Sequence, residues 1–181
     1  MRPVILVFTL LACGWAKLAL AQQEHPVPVD TLNADLKYSL NTGSFVYHAY
    51  FPQRDFTQYF ENRFLSMERK IENPYVDALV IGSVLNSHGN RCFMLGVQKG
   101  WITYDERLSF EGVYAYAGEF FVDAFSHCGD EGFYNSVRDI TGIGFTFYMY
   151  HGLEYDLGRH LSLEAGAALP AIVLLSVQWH F

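Results

Sequence analysis

The last ten residues limit the fold more than any other stretch. Val173, Leu175, Val177, Trp179 and Phe181 occupy alternate positions, with Ile172, Leu174, Ser176, Gln178 and His180 between them. A repeat of two residues is the signature of an extended strand whose side chains point to opposite faces. One face of this strand is a stripe of large apolar groups ending in Trp and Phe, and the other becomes polar toward the end. A transmembrane barrel strand shows hydrocarbon and an aromatic girdle the first face and a small polar interior the second.

The same alternation recurs through the chain. Phe45, Tyr47, Ala49 and Phe51 oppose Val46, His48 and Tyr50, and Leu65 and Met67 oppose Ser66 and Glu68. Phe93, Leu95 and Val97 oppose Met94, Gly96 and Gln98. Further on, Ile143, Phe145, Phe147 and Met149 oppose Gly144, Thr146 and Tyr148, and Leu161, Leu163, Ala165 and Ala167 oppose Ser162, Glu164 and Gly166. Two more apolar runs, from Val76 to Leu85 and from Leu108 to Ala117, complete a set of eight segments. An even number of that size closes a small antiparallel barrel. The fold expected is therefore an all-β, eight-stranded, up-and-down transmembrane barrel. Turns are expected at Asn86 to Asn90, Thr103 to Arg107, Asp123 to Asp139 and Tyr150 to Arg159, where Gly, Asn and Asp gather. A soluble, lipocalin-like barrel would need the same alternation reversed, with the wide aliphatic face inward.

The 181 residues suffice for one domain. Met1-Arg2, an apolar run from Val4 to Trp15 and Ala19-Leu20-Ala21 read as an export signal over 1–21; Leu10-Leu11-Ala12-Cys13 offers a rival lipobox. Asp30 with Leu32, Leu36 and Leu40 reads as a short amphipathic interfacial helix within a linker over 22–43, ahead of a barrel over 44–181. Cleavage after Ala21 leaves Cys92 and Cys128, either joined in an oxidising compartment or two separate thiols. A net charge of −7 with no basic cluster excludes a polyanion such as nucleic acid as partner.

His48 falls on the inner face of the first strand and Ser87 just beyond the third. A hydroxyl becomes a useful nucleophile only when a neighbour takes its proton, so this pair is a candidate nucleophile and base. His127, His151, His160 and His180 read as loop or lumen residues. His151 with Glu154, His127 with Asp130 and Cys128 with Asp130 are the pairs that hint at a metal, but no set of three or four has ligand spacing, and neither metal nor cofactor is expected.

Val46-Tyr47-His48-Ala49-Tyr50-Phe51, followed by the segment from Tyr59 to Arg69, resembles the first strand, first loop and second strand of the lipid A palmitoyltransferase family. Asn86-Ser87 ahead of Leu95-Gly96-Val97-Gln98-Lys99-Gly100-Trp101 stands where that family carries Asp-Ser before its Ala-Gly-x-x-Trp strand. It is also similar to small outer-membrane proteins with an Asn-Ser-x-Gly motif. Ala167-Ala168-Leu169-Pro170-Ala171 followed by Ile172 to Phe181 resembles the family's proline-bearing penultimate connection and closing strand. The likeness covers roughly residues 44–101. It implies a monomeric outer-membrane enzyme that moves an acyl chain from a phospholipid to lipid A or to water, with His48, Ser87 and Asn86 in the catalytic positions. Asn86 replaces the family's Asp and so brings no charge to an imidazole, with Glu68 as a possible substitute carboxylate. The resemblance also implies an apolar interior that measures the chain, bounded by small residues such as Gly96, Ala115, Gly144 and Gly166, with Tyr50 and Glu68 at the substrate. A non-catalytic barrel with a structural, adhesive or small-solute role would instead have its lumen plugged by Tyr50, Glu68, Gln98 and Tyr148.

Overall fold

The computed structural model describes residues 32–48, 63–169 and 172–181. Eight antiparallel strands follow one another in chain order: β1 Tyr38–His48, β2 Leu65–Lys70, β3 Ala78–Leu85, β4 Arg91–Thr103, β5 Leu108–Gly118, β6 Phe145–Gly158, β7 Leu161–Ala168 and β8 Ile172–His180. Each pairs with its sequence neighbour, and β8 pairs with β1 to close the barrel. Closure gives every strand a neighbour on both sides, so the sheet has no first or last strand. No helix among the described residues is long and apolar enough to cross a membrane.

The outer wall is the aliphatic one. Leu65, Met67, Leu79, Ile81, Leu95, Leu163 and Leu175 are all exposed on it. Aromatic residues gather at its two ends. Tyr38, Trp101, Tyr104, Tyr155, Trp179 and Phe181 ring the end that carries the described chain termini, and Tyr38 stacks on Phe181. At the opposite end Tyr47, Phe121 and Phe147 are exposed, and Phe93 stacks on Phe120. This orientation is the reverse of the lipocalin-like arrangement.

The lumen has two halves. Toward the far mouth it is a packed apolar cluster of Val46, Val80, Met94, Val113, Ala115, Tyr150, Ala168 and Leu174. Toward the termini it is polar and cross-linked. Glu68 accepts from Ser39 at 3.3 Å and from Gln178 at 2.9 Å, Glu164 from Asn41 at 2.7 Å and Ser176 at 3.0 Å, and Glu111 from Gln98 at 2.5 Å. These bonds offset much of the cost of burying the groups, although Asn41 Oδ1 and Gln178 Oε1 find no hydrogen-bond partner among the described residues.

Three expectations change. Leu32 to Asp35 form a turn and Leu40 already lies in β1, so the part of the amphipathic helix that is described is not helical and strand pairing starts at Tyr38, before residue 44. The alternation of Ser39 and Asn41 inward already gives strand periodicity there. The expected connection from Tyr150 to Arg159 is strand: β6 continues to Gly158, because Tyr150, Glu154 and Asp156 keep inward parity and pair with β7. The long connection between β5 and β6 contains a 3-10 turn at Asp123–Phe125 and a helix, α1, at Gly132–Thr141 that ends on Gly142 in the left-handed conformation, a glycine C-cap. The export signal, the lipobox and residues 49–62, including Tyr50, lie outside the described residues.

Candidate functional site

Ser87 Oγ stands 3.4 Å from His48 Nε2 at the mouth away from the termini. The two come from opposite directions. His48 is the last residue of β1, and Ser87 belongs to the turn that joins β3 to β4. A register shift between Thr42 and Phe45 decides where His48 points. Ser39 and Asn41 face inward before it, Val46 after it, so the bulge moves the inward parity from odd to even positions and carries His48 with it.

Asn86 builds the turn. Its Oδ1 accepts from the main-chain N–H of His88 and of Asn90, each at 3.0 Å, and its Nδ2 donates to the Cys128 carbonyl at 3.1 Å. The Gly89 N–H donates to the Asn86 carbonyl at 2.9 Å, and Gly89 has a φ of 84°, which suits a residue without Cβ. Thus Asn86, 5% exposed, spends its amide on the turn and on the long connection rather than on the histidine. The N–H groups of His88, Gly89 and Asn90 are spent the same way, which leaves these three unavailable to an oxyanion.

The long connection holds this turn from above. Cys92, at the start of β4, is joined to Cys128 by a disulfide, which answers the question left open by the sequence. His88 Nδ1 lies 3.3 Å from Glu131 Oε2. Arg138 on α1 pairs with Glu119 and, at 2.9 Å, with Asp130, and Glu119 Oε2 accepts the Gly144 N–H at 2.6 Å. Burial pushes the phenol of Tyr134, on α1, up to about 12.

The remaining candidates lie elsewhere. Glu68 pairs across from Ser39, nine residues along β1 from His48, a rise of about 30 Å, so it does not reach the histidine. It does line an internal void with Tyr148, Tyr150, Met94 and Glu164. That void, a cavity of ≈ 20 Å³, is enough for one or two water molecules. Neither Gly96 nor Gly144 lines it. A Cβ on Gly96 would strike the backbone of Tyr114 and Ala115, and one on Gly144 would strike Gly129; both serve close backbone approach.

One group escaped sequence reasoning. At the termini end, His180 Nε2, Glu154 Oε1 and Asp156 Oδ1 lie within 4.8 Å of one another, with Ser162 and Asn33 beside them. His151, which spacing suggested for Glu154, instead faces the outer wall and meets Tyr114 Oη at 2.6 Å. His127 does pair with Asp130, on the surface at 2.8 Å. The available signal was the shared inward parity of 154 and 156 with that of 178 and 180.

Fold and site together define a closed eight-stranded barrel with a serine–histidine contact at one mouth and a filled interior. No family model matches the chain, and no curated protein matches it.

Proposed function

We propose that the chain is exported to the outer membrane of a Gram-negative cell, spans it as a barrel, and cleaves or transfers acyl esters of membrane lipids at its external mouth. The membrane reading is supported by the aliphatic outer wall between two aromatic rings, the arrangement a hydrocarbon slab with two interfaces selects. The catalytic reading is carried by one observation, the 3.4 Å contact between Ser87 Oγ and His48 Nε2. The distance is long for a hydrogen bond, and such contacts shorten when substrate excludes water.

In this reaction a neutral His48 takes the Ser87 proton as Oγ attacks the ester carbonyl of a phospholipid. The tetrahedral intermediate collapses to an acyl-serine, and His48 returns the proton to the departing glycerol oxygen. His48 then deprotonates the acceptor, a lipid A hydroxyl or water, which takes the acyl group and frees Ser87. Asn86, uncharged and committed to the turn, adds no charge to the imidazolium that forms in this step. The void below is far smaller than the ~300 Å³ at which pockets for small molecules begin, so the acyl chain stays on the bilayer side unless Met94, Tyr148 and Tyr150 move.

That filled interior specifically favours a second reading, a non-catalytic structural or adhesive barrel, and weighs against solute transport. Mass spectrometry of lipid A and phospholipids from cells expressing the chain, His48→Ala or Ser87→Ala separates the two. Lysophospholipid, with or without newly acylated lipid A, is expected from the unaltered chain alone. Identical lipid profiles from all three would leave only the non-catalytic reading.

A further inference from the structure

We propose that the closed end of the lumen, beside the termini, is a binding site for a divalent first-row transition ion of the Zn²⁺ type, with His180, Glu154 and Asp156 as ligands. This site is independent of the serine–histidine pair. His180 lies eight residues along β8 from Ile172, the partner of His48, roughly 26 Å at about 3.3 Å per residue.

The barrel brings the donors together from two strands that do not pair. Glu154 and Asp156 are successive inward residues of β6, His180 is the last residue of β8, and Ser162 on β7 stands between them, paired with Asp156 on one side and Gln178 on the other. His180 Nε2 is 3.1 Å from Glu154 Oε1 and 4.0 Å from Asp156 Oδ1. Zinc bonds of about 2.0–2.2 Å place tetrahedral donors roughly 3.3–3.6 Å apart, and the observed separations straddle that range.

Two further observations point to a ligand. The first is crowding at one nitrogen. Nε2 of His180, a residue 5% exposed, is approached by Ser162 Oγ at 2.6 Å and by Asn33 Nδ2 at 3.2 Å as well as by Glu154. A ring nitrogen carries one proton or one lone pair, so it serves one of these neighbours. The Asn33 amide donates to Asp156 Oδ1 at 2.9 Å and the Ser162 hydroxyl to the same oxygen at 2.5 Å, which leaves the oxygens of Ser162, Glu154 and Asp156 gathered about one imidazole nitrogen, the set a cation would use. Glu154 Oε1, shielded from solvent, is turned toward that same nitrogen in an ion-pair contact at 3.1 Å whose geometry is poor for a hydrogen bond.

The second is charge. Glu68, Glu111, Asp156 and Glu164 are buried in the lumen, and Glu154 joins them. At this end Lys70 is directed at Asn33, donating to its carbonyl at 2.8 Å and to Oδ1 at 3.2 Å. Buried carboxylates in such excess must be compensated by protons or by a cation. One imidazole with two carboxylates suits zinc, manganese or iron better than calcium or magnesium, which take oxygen alone. Ser162 Oγ or a water completes the set.

A rival use of the same residues, Ser162 as nucleophile with His180 as base, fails on access. Ser162 is 0% exposed, so no ester reaches it. A bound ion would instead fasten β6 to β8, with the Asn33 turn held to it through the hydrogen bond to Asp156.

The test uses the folded full chain in detergent micelles, stripped with a chelator, reloaded with Zn²⁺ and passed through gel filtration before elemental analysis. One zinc per chain is expected, with affinity at least tenfold weaker in His180→Gln and in Glu154→Gln, and unchanged in His127→Ala, which alters the exposed His127–Asp130 pair. X-ray absorption at the zinc edge of the unaltered chain, which needs no variant to fold, should give one imidazole and two or three oxygens. The proposal is overturned by a reloaded chain that retains no zinc, by inward variants that bind like the unaltered chain, or by a shell with two or more imidazoles.

Discussion

Asn86 illustrates how a residue in a suggestive position is committed to something else. Its side chain closes the turn on one side and reaches the Cys128 carbonyl on the other, so the turn that presents Ser87 depends on an amide that both accepts and donates. Asn86→Asp keeps the acceptor but sets a carboxylate against a buried carbonyl. The change is expected to cost about 1–3 kcal/mol in urea unfolding of the barrel and to leave ester cleavage no faster. Faster cleavage at unchanged stability would mean that the asparagine sits where an acid belongs. Sequence placed Asn86, Ser87 and His48 near one another only through a resemblance. By parity alone Ser87 shares the outward set of Leu79, Ile81 and Ser83, and it reaches the histidine because the chain leaves the strand at Leu85. The bulge in β1 that turns His48 inward left no mark in the hydropathy pattern.

Among elements, the strands were legible and the connection between β5 and β6 was not. Period-two alternation in Leu161–Ala168 and Ile172–His180 is a local signal that closure of the barrel only reinforces. Helix α1 has its polar residues tied to groups distant in the chain, Arg138 to Glu119 and the turn before it to Cys92. Those ties exist only once the barrel has formed. The disulfide spans 36 residues, a loop for which chain-entropy arguments give roughly 3–4 kcal/mol. Replacing Cys92 and Cys128 together by Ala is expected to lower stability by that order and to open residues 119–144 to limited proteolysis while the strands stay protected. If that stretch resists protease as before, the Arg138 and His88 ion pairs and the Asn86–Cys128 hydrogen bond hold the cap without the disulfide.

For the whole molecule, the physics turns on which face of the wall meets which solvent. Leu95 and Leu163 are about half exposed, at 54% and 45%, whereas Glu68 and Glu164 are 7% and 5% exposed. In water this distribution would be inverted, and in hydrocarbon it is the stable one. Sequence showed the two faces but not the cross-links of the inner one, because Asn41 with Glu164 and Gln178 with Glu68 join residues more than a hundred positions apart. Trp101 and Trp179 lie on the outer wall, 36% and 48% exposed, and report its surroundings directly. A Trp15→Phe chain folded into vesicles of phospholipid brominated near the carbonyl end of its acyl chains should show strong quenching of tryptophan fluorescence and little quenching by aqueous acrylamide. The reverse pattern, or a chain that folds to the same barrel in buffer without lipid or detergent, would contradict the membrane-spanning account on which the proposed chemistry rests.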